Sequence, residues 1–473
     1  MTVINLSSPE VQVRENRLGS ITGFEGTAAQ LVGCARRGSL RDRRRSFSQC
    51  LGCSTTNAAC TVILIQDAAV ISHGPVGCSA CLHEFAFTYR VNGVHRGVAK
   101  PTQRRIFSTN LDEGDTVYGG SRKLAEAIRE VHRRTQAKAI FIITTCASGI
   151  IGDDVEGVAT EAEEELGVPV VAIFCEGFRS RIWTSGFDAG YHGIARKLLK
   201  PATRRQPDLV NIINFWGTDI FSPLLARIGL RPNYITPYAT VASIAQAPEA
   251  AATIQICPTL GSYLGAALEQ VHGVPEVKVP PPYGIAATDR WWRELGRLTG
   301  KEAEVASLIQ EEKTEHLPRL AELRTKLTGR NAFVTAGAAH GHALVAVLRE
   351  LGMRAAGTAV FHHDPLYDSG SEDADSLQSV VKDTGDIPNY NVCNKQEFEL
   401  VNLLNRERPD ILLARHGGMT LWGAKLGIPS LLIGDEHFGM GYRGLVTYGA
   451  RILETLENDE FVVNLARHAI NPY

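Results

Sequence analysis

Short apolar runs alternate along the chain with stretches whose apolar residues recur at helical spacing. The runs are TVILIQDAAVISHG (61–74), AKAIFIITTCASG (137–149), VPVVAIFCEGF (168–178), LVNIINFW (209–216), NYITPY (233–238), ATIQICP (252–258), PEVKVPPPYG (275–284), NAFVTAG (331–337), AAGTAVFHHD (355–364), DILLAR (410–415) and PSLLIGDE (429–436). Residues 118–136 form an amphipathic helical pattern, and a long charged helical region is predicted over roughly 288–328. This alternation is typical of βαβ units with parallel strands.

The pattern restarts near residue 205 and again near residue 330, so the sequence predicts three Rossmann-like α/β domains. Their expected bounds are 51–205, 206–330 and 331–473, and residues 1–50 are expected to form an irregular N-terminal arm. In parallel sheets of this kind, ligands collect beyond the carboxyl ends of the strands. Residues that follow the predicted strands are therefore the first candidates for chemistry.

Composition and charge exclude several classes of protein. The net charge is −2, so no global positive field favours nucleic acid, and the arginines of the arm (Arg36, Arg37, Arg41, Arg43, Arg44 and Arg45) are interpreted as a solvated or partner-facing surface. No apolar run reaches ~18 residues, and the N-terminus lacks the apolar core of a signal peptide. We expect a cytoplasmic protein that binds neither membrane nor nucleic acid.

Four cysteines stand in two CxxC pairs, Cys50 with Cys53 and Cys78 with Cys81. Such pairs are compatible with a four-thiolate zinc site, but the gap between them exceeds the usual spacing and contains an apolar strand. Two other interpretations of these cysteines remain open: inert core residues, and ligands of a group larger than a single ion. The glycine-proline turn before Cys78 favours a ligand, because it would let the backbone approach a bulky group closely.

Further cysteines lie at predicted strand ends. Cys146 lies in TTCASGIIGDD (144–154), where Asp153 or Asp154 is expected to cap a helix and the thiol is a candidate ligand at the same sheet edge as Cys78. Cys175 and Cys257 also follow strands. This repeated placement of thiols at strand ends points to a metal centre.

The segment HFGMGYRG (437–444) contains a GxGxxG spacing after a predicted strand. Alone this is a weak signal for a dinucleotide, and no P-loop motif occurs in the chain, so any use of ATP would belong to a partner. His437 precedes this turn and is a candidate metal ligand. His362, His363 and His416 also follow predicted strands.

Four motifs together resemble the nitrogenase molybdenum-iron protein α-subunit family: ISHGPVGC (71–78), TVYGGSRKLAEAI (116–128), TTCASGIIGDDVEGV (144–158) and CEGFRS (175–180). The resemblance extends from about residue 45 to about residue 455. It implies three Rossmann-like domains and an α2β2 assembly with a homologous β-subunit. It also implies electron delivery by a separate ATP-hydrolysing [4Fe-4S] iron protein.

The resemblance also implies which residues hold metal. Cys53, Cys78 and Cys146 match three cysteines that hold half of an interfacial P-cluster of the [8Fe-7S] type, with Cys50 as the alternative to Cys53. Cys257 matches the cysteine ligand of a second, larger iron–sulfur cofactor, whose heterometal is left open, with an iron-only cofactor included. His437 is the candidate for the histidine ligand of that cofactor, and with Cys257 it defines the predicted catalytic centre.

The chain departs from dinitrogen-fixing members of the family at two places. Residues 181–193 lack the Gln and His pair of those enzymes, and AGAAHGH (336–342) has Ala339 where they carry an arginine. Loss of a buried guanidinium changes the charge and shape of a pocket, which disfavours dinitrogen reduction. Proton donors are then sought among His340, His342 and His363.

Two functions follow as expectations. The preferred one is a methylthio-alkane reductase type of enzyme, which cleaves the C–S bond of small thioethers to methanethiol and a hydrocarbon, since a thioether is a soft ligand for iron. The alternative is a cofactor-maturation scaffold. Because a scaffold must release its cofactor, it should not bind the cofactor through protein ligands at both ends. A true dinitrogen-reducing subunit and a pigment-biosynthesis reductase are further alternatives.

Overall fold

A computed structural model describes residues 3–43, 53–80, 82, 93, 106–213, 219–394, 396–434 and 439–468. The chain divides into two compact units. The first unit comprises Met1–Leu18 and Gly52–Val277, and the second comprises Gly19–Leu51 and Lys278–Tyr473. The predicted α/β fold with parallel sheets is confirmed.

The described strands are β1 (Phe24–Gly26), β2 (Ala68–His73), β3 (Ile106–Ser108), β4 (Ala139–Thr144), β5 (Val170–Ile173), β6 (Gln206–Ile213), β7 (Arg231–Ile235), β8 (Ala250–Gln255), β9 (Asn331–Ala336), β10 (Arg354–Val360), β11 (Tyr390–Val392), β12 (Ile411–Ala414) and β13 (Ser430–Leu432). The helices are α1 (Arg14–Arg17), α2 (Ala28–Arg36), α3 (Ser54–Val62), α4 (Val76–Ala80), α5 (Glu113–Tyr118), α6 (Ser121–Thr135), α7 (Cys146–Ile151), α8 (Val155–Leu166), α9 (Ser185–Lys197), α10 (Phe221–Arg227), α11 (Val241–Ala245), α12 (Pro258–His272), α13 (Ile285–Thr299), α14 (Glu302–Leu327), α15 (Ala338–Glu350), α16 (Ser376–Thr384), α17 (Glu397–Glu407), α18 (Gly417–Lys425), α19 (Gly441–Glu457) and α20 (Glu460–His468).

The first unit contains two parallel sheets, with strand orders β3-β2-β4-β5 and β7-β6-β8. Every residue of β2 and β4 is buried, as expected for strands covered on both faces by helices. One core cluster joins these strands to α6 and α8 through Leu124, Ile128, Ile142 and Ala159. Buried apolar area of this kind is the main stabilising contribution to the sheet.

The second unit contains one six-stranded sheet in the order β1-β11-β10-β9-β12-β13. All of its pairs are parallel except that of the edge strand β1, which runs antiparallel to β11. The carboxyl ends of β9, β10 and β12 therefore meet at one edge. Several of the candidate histidines follow these strands.

The expectation of an irregular N-terminal arm is wrong for residues 14–36, which form α1, β1 and α2. Helix α2 starts with a capping box in which the Thr27 hydroxyl accepts from Gln30 N and the Gln30 amide oxygen accepts from Thr27 N. The backbone groups of β1 are satisfied by β11. The predicted domain boundaries at 50, 205 and 330 stay predictions.

Two predicted strands also need correction. Residues 61–67 complete α3 and a turn, so the strand begins at Ala68 and not at Thr61. The run 275–284 forms no strand and contributes only an isolated bridge between Thr253 and Glu276. Its consecutive prolines lack the N–H groups that a central strand must donate.

Candidate metal centre

The paired strands β2 and β4 are each followed by a segment that carries a predicted cysteine ligand. His73, the last residue of β2, lies opposite Thr144, the last residue of β4. Cys78 lies in α4, the helix that follows β2, and Cys146 is the first residue of α7. The Thr145 hydroxyl donates a hydrogen bond of 3.0 Å to the carbonyl of His73 and so joins the two loops.

The two glycines of the HGPVGC loop have different surroundings. A side-chain carbon at Gly74 would lie 2.1 Å from the Thr145 hydroxyl oxygen, so glycine is required there by the protein's own packing. At Gly77 a side-chain carbon would meet nothing within 4 Å. The close approach at Gly74 is therefore to Thr145.

The third predicted ligand joins this centre at Gly177. A side-chain carbon there would lie 3.8 Å from the sulfur of Cys53 and 3.5 Å from the sulfur of Cys146. The two thiols, 93 positions apart in the sequence, thus converge on one glycine of the CEGF motif. The same carbon would lie 3.1 Å from Cβ of Cys53, so a larger residue would crowd both cysteines.

The position of Cys53 follows from the packing of α3, which begins directly after it. Helix α9 lies so close to α3 that a side-chain carbon at Gly186 would be 2.1 Å from the Ser54 carbonyl oxygen. One turn later, a side-chain carbon at Gly190 would be 1.9 Å from the Thr61 hydroxyl. Two small residues four apart allow this close helix contact. They hold the N-terminal end of α3, and with it Cys53, against the sheet.

The exposure of the three thiols fits ligands of a group shared with another surface. Cys53 is exposed, whereas Cys78 and Cys146 are partly buried, and none of the described cysteines forms a disulfide. The three sulfurs do not all lie within 4.8 Å of one another in the described part of the chain. Thiolates around one zinc ion lie about 3.8 Å apart, so a group larger than a single ion fits better.

Cys175 lies nearby but has the environment of an inert thiol. It is 4% exposed, and its sulfur donates to the Thr144 carbonyl at 3.5 Å. Burial, followed by the negative charge of Glu176, raises the pKa of the Cys175 thiol. A thiol that resists ionisation is a poor metal ligand, because the thiolate is the binding form.

A buried pair that sequence reasoning missed supports both loops. Nε2 of His73 lies 2.9 Å from a carboxylate oxygen of Asp153, whose other oxygen accepts from Gly120 N at 2.8 Å. Nδ1 of His73 lies 3.1 Å from the Thr109 hydroxyl. Burial lowers the pKa of His73 despite the opposing hydrogen bond to Asp153, so we assign a neutral imidazole that donates from Nε2. Asp154, and not Asp153, caps α8.

Three exposed apolar side chains of the first unit lie close in sequence to the cysteines. Val76, Ile150 and Phe178 are each more than half exposed, and each lies within four residues of a candidate ligand or of Gly177. Exposed apolar groups next to half-exposed thiols are typical of a surface that a partner covers. These three residues could have been found from the sequence, since each belongs to one of the motifs that carry the family resemblance.

Cys257 lies in the same unit but in a different environment. It is 3% exposed, it directly precedes α12, and its carbonyl accepts from Leu260 N at 2.9 Å. Tyr191 of α9 is close enough that the charge of Cys257 adds to burial, the main cause, in raising the pKa of the Tyr191 phenol. The segment 181–193 thus brings a buried tyrosine near Cys257.

The carboxyl edge of the second unit's sheet holds the other candidates. Ala339 and His340 follow β9 at the start of α15, and burial together with the Arg415 guanidinium lowers the pKa of His340 to about 3. His342 uses both ring nitrogens, with Nδ1 2.7 Å from the Ser376 hydroxyl and Nε2 2.6 Å from the Tyr390 hydroxyl. His342 is therefore a neutral structural residue and not a ready proton donor.

The remaining histidines of this edge are mostly buried. His363 is 3% exposed, its Nε2 has no hydrogen-bond partner among the described residues, and burial lowers its pKa. His362 lies 3.3 Å from a carboxylate oxygen of Asp364, and His416 packs against Phe361 with ring centroids 5.3 Å apart. His363 is thus the candidate proton donor, because its Nε2 is not used in a hydrogen bond to another described residue.

The GxGxxG segment has a structural explanation. A side-chain carbon at Gly444 would lie 2.2 Å from the carbonyl carbon of Gly439, so both glycines serve a tight turn at the start of α19. This contact accounts for the spacing without a dinucleotide. His437, Cys50 and Cys81 lie outside the described residues.

Comparison with known proteins identifies the family. The model of the nitrogenase component 1 type oxidoreductases matches residues 53–457. The chain belongs to this family. Membership implies the binding of an iron–sulfur metallocluster, and the exposed Cys53 with the partly buried Cys78 and Cys146 are the described thiols that fit it.

Relatives of two kinds are similar to the chain. The nitrogenase iron-molybdenum cofactor biosynthesis protein NifE of Methanococcus maripaludis is 29% identical over 420 residues, which cover 85% of this chain and 82% of that protein. The nitrogenase molybdenum-iron protein alpha chain of Methanosarcina barkeri is 32% identical over 321 residues, covering 63% and 58%. The solved structure of nitrogenase Cp1 at pH 5 shares the fold, with a TM-score of 0.72, 22% identity and 92% coverage of both chains. In the described residues, no helix has the length and apolar character needed to cross a membrane.

Proposed function

We propose that this protein is the catalytic α-type subunit of a nitrogenase-like reductase that cleaves the C–S bond of small methylthio-alkanes. Its partners in this proposal are a homologous β-subunit in an α2β2 complex and an ATP-hydrolysing [4Fe-4S] iron protein. The observation that carries the redox part is the convergence of Cys53 and Cys146 on Gly177. Membership in the nitrogenase component 1 family supports it independently.

Cys53, Cys78 and Cys146 would hold this chain's half of an [8Fe-7S] cluster of the P-cluster type. Such a cluster supplies one-electron transfer, with a potential set by its charge and by hydrogen bonds to its sulfurs. The chain's own contribution is to fix the thiols, through the Thr145 bond between two loops and through the packing of α3. The exposed Val76, Ile150 and Phe178 supply an apolar surface for the β-subunit.

Cys257 would hold a nitrogenase-type iron–sulfur cofactor together with His437. The buried position of Cys257, directly before a helix, supports this role, since it keeps water away from a bound group. Tyr191 is the described group near Cys257 that would donate a hydrogen bond there. Burial raises the pKa of its phenol and keeps it neutral, which suits a neutral substrate.

The substrate class is supported by the segment that follows β9. Ala338 and Ala339 are buried apolar residues where dinitrogen-fixing relatives carry an arginine-bearing loop. An apolar site without that guanidinium favours a small neutral molecule over an anion. A thioether sulfur is a soft donor for iron, which fits the chemistry of the proposed cofactor.

A cofactor-maturation scaffold is the second candidate. The similarity to NifE over 85% of the chain favours it directly. A scaffold would bind its cofactor at Cys257 and then release it. The two candidates therefore differ in whether the loaded complex turns over a substrate itself.

The test uses the complex of this chain with its β-subunit, purified anaerobically and supplied with the iron protein, MgATP and reductant. A short methylthio-alcohol and dinitrogen are offered in separate reactions. Release of methanethiol and a hydrocarbon is the expected result. Ammonia from dinitrogen would contradict the proposed substrate, and cofactor transfer to a cofactor-free nitrogenase without turnover of either compound would establish the scaffold.

A further inference from the structure

The N-terminal segment of the first unit is held against α9 by a buried ion pair. Arg14 lies in α1, and its Nε and one terminal nitrogen donate to the two carboxylate oxygens of Asp188 at 2.7 and 2.8 Å. Both side chains are 0% exposed, and Arg17 pairs with the same carboxylate. The backbone N–H of Arg14 also donates to the Ser185 hydroxyl at 3.0 Å. This is the bidentate contact that gives an arginine–carboxylate pair its fixed geometry.

The same segment contacts the place where α9 meets α12. Nδ1 of His192 in α9 lies 2.7 Å from the Tyr263 hydroxyl of α12. Nε2 of His192 lies 2.9 Å from the Ser8 carbonyl oxygen, and the Arg17 guanidinium lies over the Tyr263 ring, 5.2 Å from its centroid. The N-terminal segment therefore contacts both members of the hydrogen bond that joins the two helices. Because α12 begins directly after Cys257, this contact lies within about two helical turns of the proposed cofactor ligand.

The opposite face of α9 packs against the helix of the other metal site. Gly186 and Gly190 contact α3, which begins directly after Cys53. Asp188 and His192 each follow one of these glycines by two positions, which is about 200° around a helix, so they lie on the far side of α9. Helix α9 thus lies between α3 and α12. All three helices and the N-terminal segment belong to the first unit.

The buried ion pair defines a position more than it adds stability. Two charges lose their hydration when they are buried, and apolar residues of similar size in their place are often as stable. The bidentate contact, by contrast, strongly favours one distance and one angle between Arg14 and Asp188. Because Asp188 lies on the face of α9 opposite Gly186 and Gly190, a shift of this helix would alter its packing on α3 and on α12 together.

We infer that Arg14 and Asp188 are positioning residues for both metal sites, because through α9 they set the location of Cys53 at one site and of Cys257 at the other. The inference rests on the proposed function, which assigns these cysteines to an interfacial cluster and to a cofactor. The two residues act through helix packing and not through contact with a metal. The N-terminal segment is thus part of the support of both sites.

Hydrogen exchange of the complex with the β-subunit tests the inference independently of turnover. Arg14→Lys keeps the positive charge but lacks the bidentate contact, and Asp188→Asn keeps the shape but lacks the charge, so the two variants test the same pair separately. Arg129→Lys is the matched control, because Arg129 forms the same bidentate contact with Glu165 on the exposed surface of this unit. Amide exchange is measured in peptides from α3, α9, α12 and the buried strand β4.

We expect both variants of the pair to speed exchange at least tenfold in α3, in α9 and at the start of α12, where the N–H groups of Leu260 and Gly261 donate to the Cys257 carbonyl. β4 should keep its wild-type rate, and Arg129→Lys should match the wild type throughout. Equal acceleration in β4, which would show general destabilisation, or wild-type rates in α3 or α12, would overturn the inference. The expected exchange pattern in a complex that cleaves no thioether would support the inference and overturn only the proposed function.

Discussion

His73 and Asp153 form a buried hydrogen-bonded pair that joins two cysteine-bearing segments of the chain. Nε2 of His73 lies 2.9 Å from the Asp153 carboxylate, and neither side chain is more than 3% exposed. His73 begins the loop to Cys78, and Asp153 ends the segment that starts with Cys146. The pair therefore positions two proposed ligands without contacting metal itself.

Asp153→Ala should lower the iron content of the complex. The change leaves the buried Nε2–H of His73 and the N–H of Gly120 without their acceptor, at a cost of about 1–3 kcal/mol per group. Asp154→Ala is the matched control, since it removes only the cap of α8 and costs about 1 kcal/mol. Iron analysis of both variants should show a deficit in Asp153→Ala alone, and equal iron in the two would refute the positioning role.

Gly177→Ala should impair cluster assembly while the chain still folds. The added carbon would lie 3.1 Å from Cβ of Cys53 and 3.5 Å from the Cys146 sulfur, which pushes the two ligands apart. Gly77→Ala, in the neighbouring loop, adds a carbon that meets nothing within 4 Å and should be neutral. Iron content and the visible absorption of the cluster measure the difference, and a full iron load in Gly177→Ala would contradict the convergence of the two thiols.

The parallel sheets were predictable because their strands are continuous apolar runs separated by helical patterns. β4 and β9 lie within the runs predicted for them, since burial on both faces leaves an unmistakable pattern. The prediction of a strand at residues 61–67 was wrong because the end of α3 is as apolar as a strand. The arm was misread because α2 depends on a local capping box between Thr27 and Gln30, which average hydrophobicity does not reveal.

His192 makes stability depend on pH. Its Nε2 donates to the Ser8 carbonyl, its Nδ1 accepts from the Tyr263 hydroxyl, and burial lowers its pKa to about 4. Between about pH 6.5 and pH 4 the unfolded chain binds more protons at this site, so stability falls as the pH falls, by about 3 kcal/mol at most. His192→Gln should flatten this part of the profile in denaturant unfolding, and an unchanged slope would contradict the assignment.

Gly444→Ala should destabilise the chain. The new carbon would lie 2.2 Å from the backbone of Gly439, and overpacking of this kind costs about 1–3 kcal/mol or more because a backbone cannot easily yield. A lower thermal unfolding midpoint is the expected result.

Calorimetric titration of the wild type with NAD should show no binding, whereas binding that Gly444→Ala abolishes would restore the dinucleotide interpretation.

The candidate site was predictable only in part. Strand-end positions pointed to Cys78, Cys146 and Cys257, because ligand loops follow parallel strands. The meeting of Cys53 with Cys146 depends on Gly177 and on the close packing of α9 against α3, contacts between residues far apart in sequence. Family resemblance provided this grouping, whereas spacing alone left zinc, core cysteines and a larger group open.

The most direct test of the account is the iron content of the complex when single cysteines of the first unit are replaced. Cys146→Ala removes a proposed ligand, and Cys175→Ala removes a buried neighbour whose raised pKa makes it a poor one. The account predicts a large loss of iron, and of the cluster's spectroscopic signal, in Cys146→Ala, with wild-type iron in Cys175→Ala. Full iron in Cys146→Ala, or an equal loss in both variants, would contradict it.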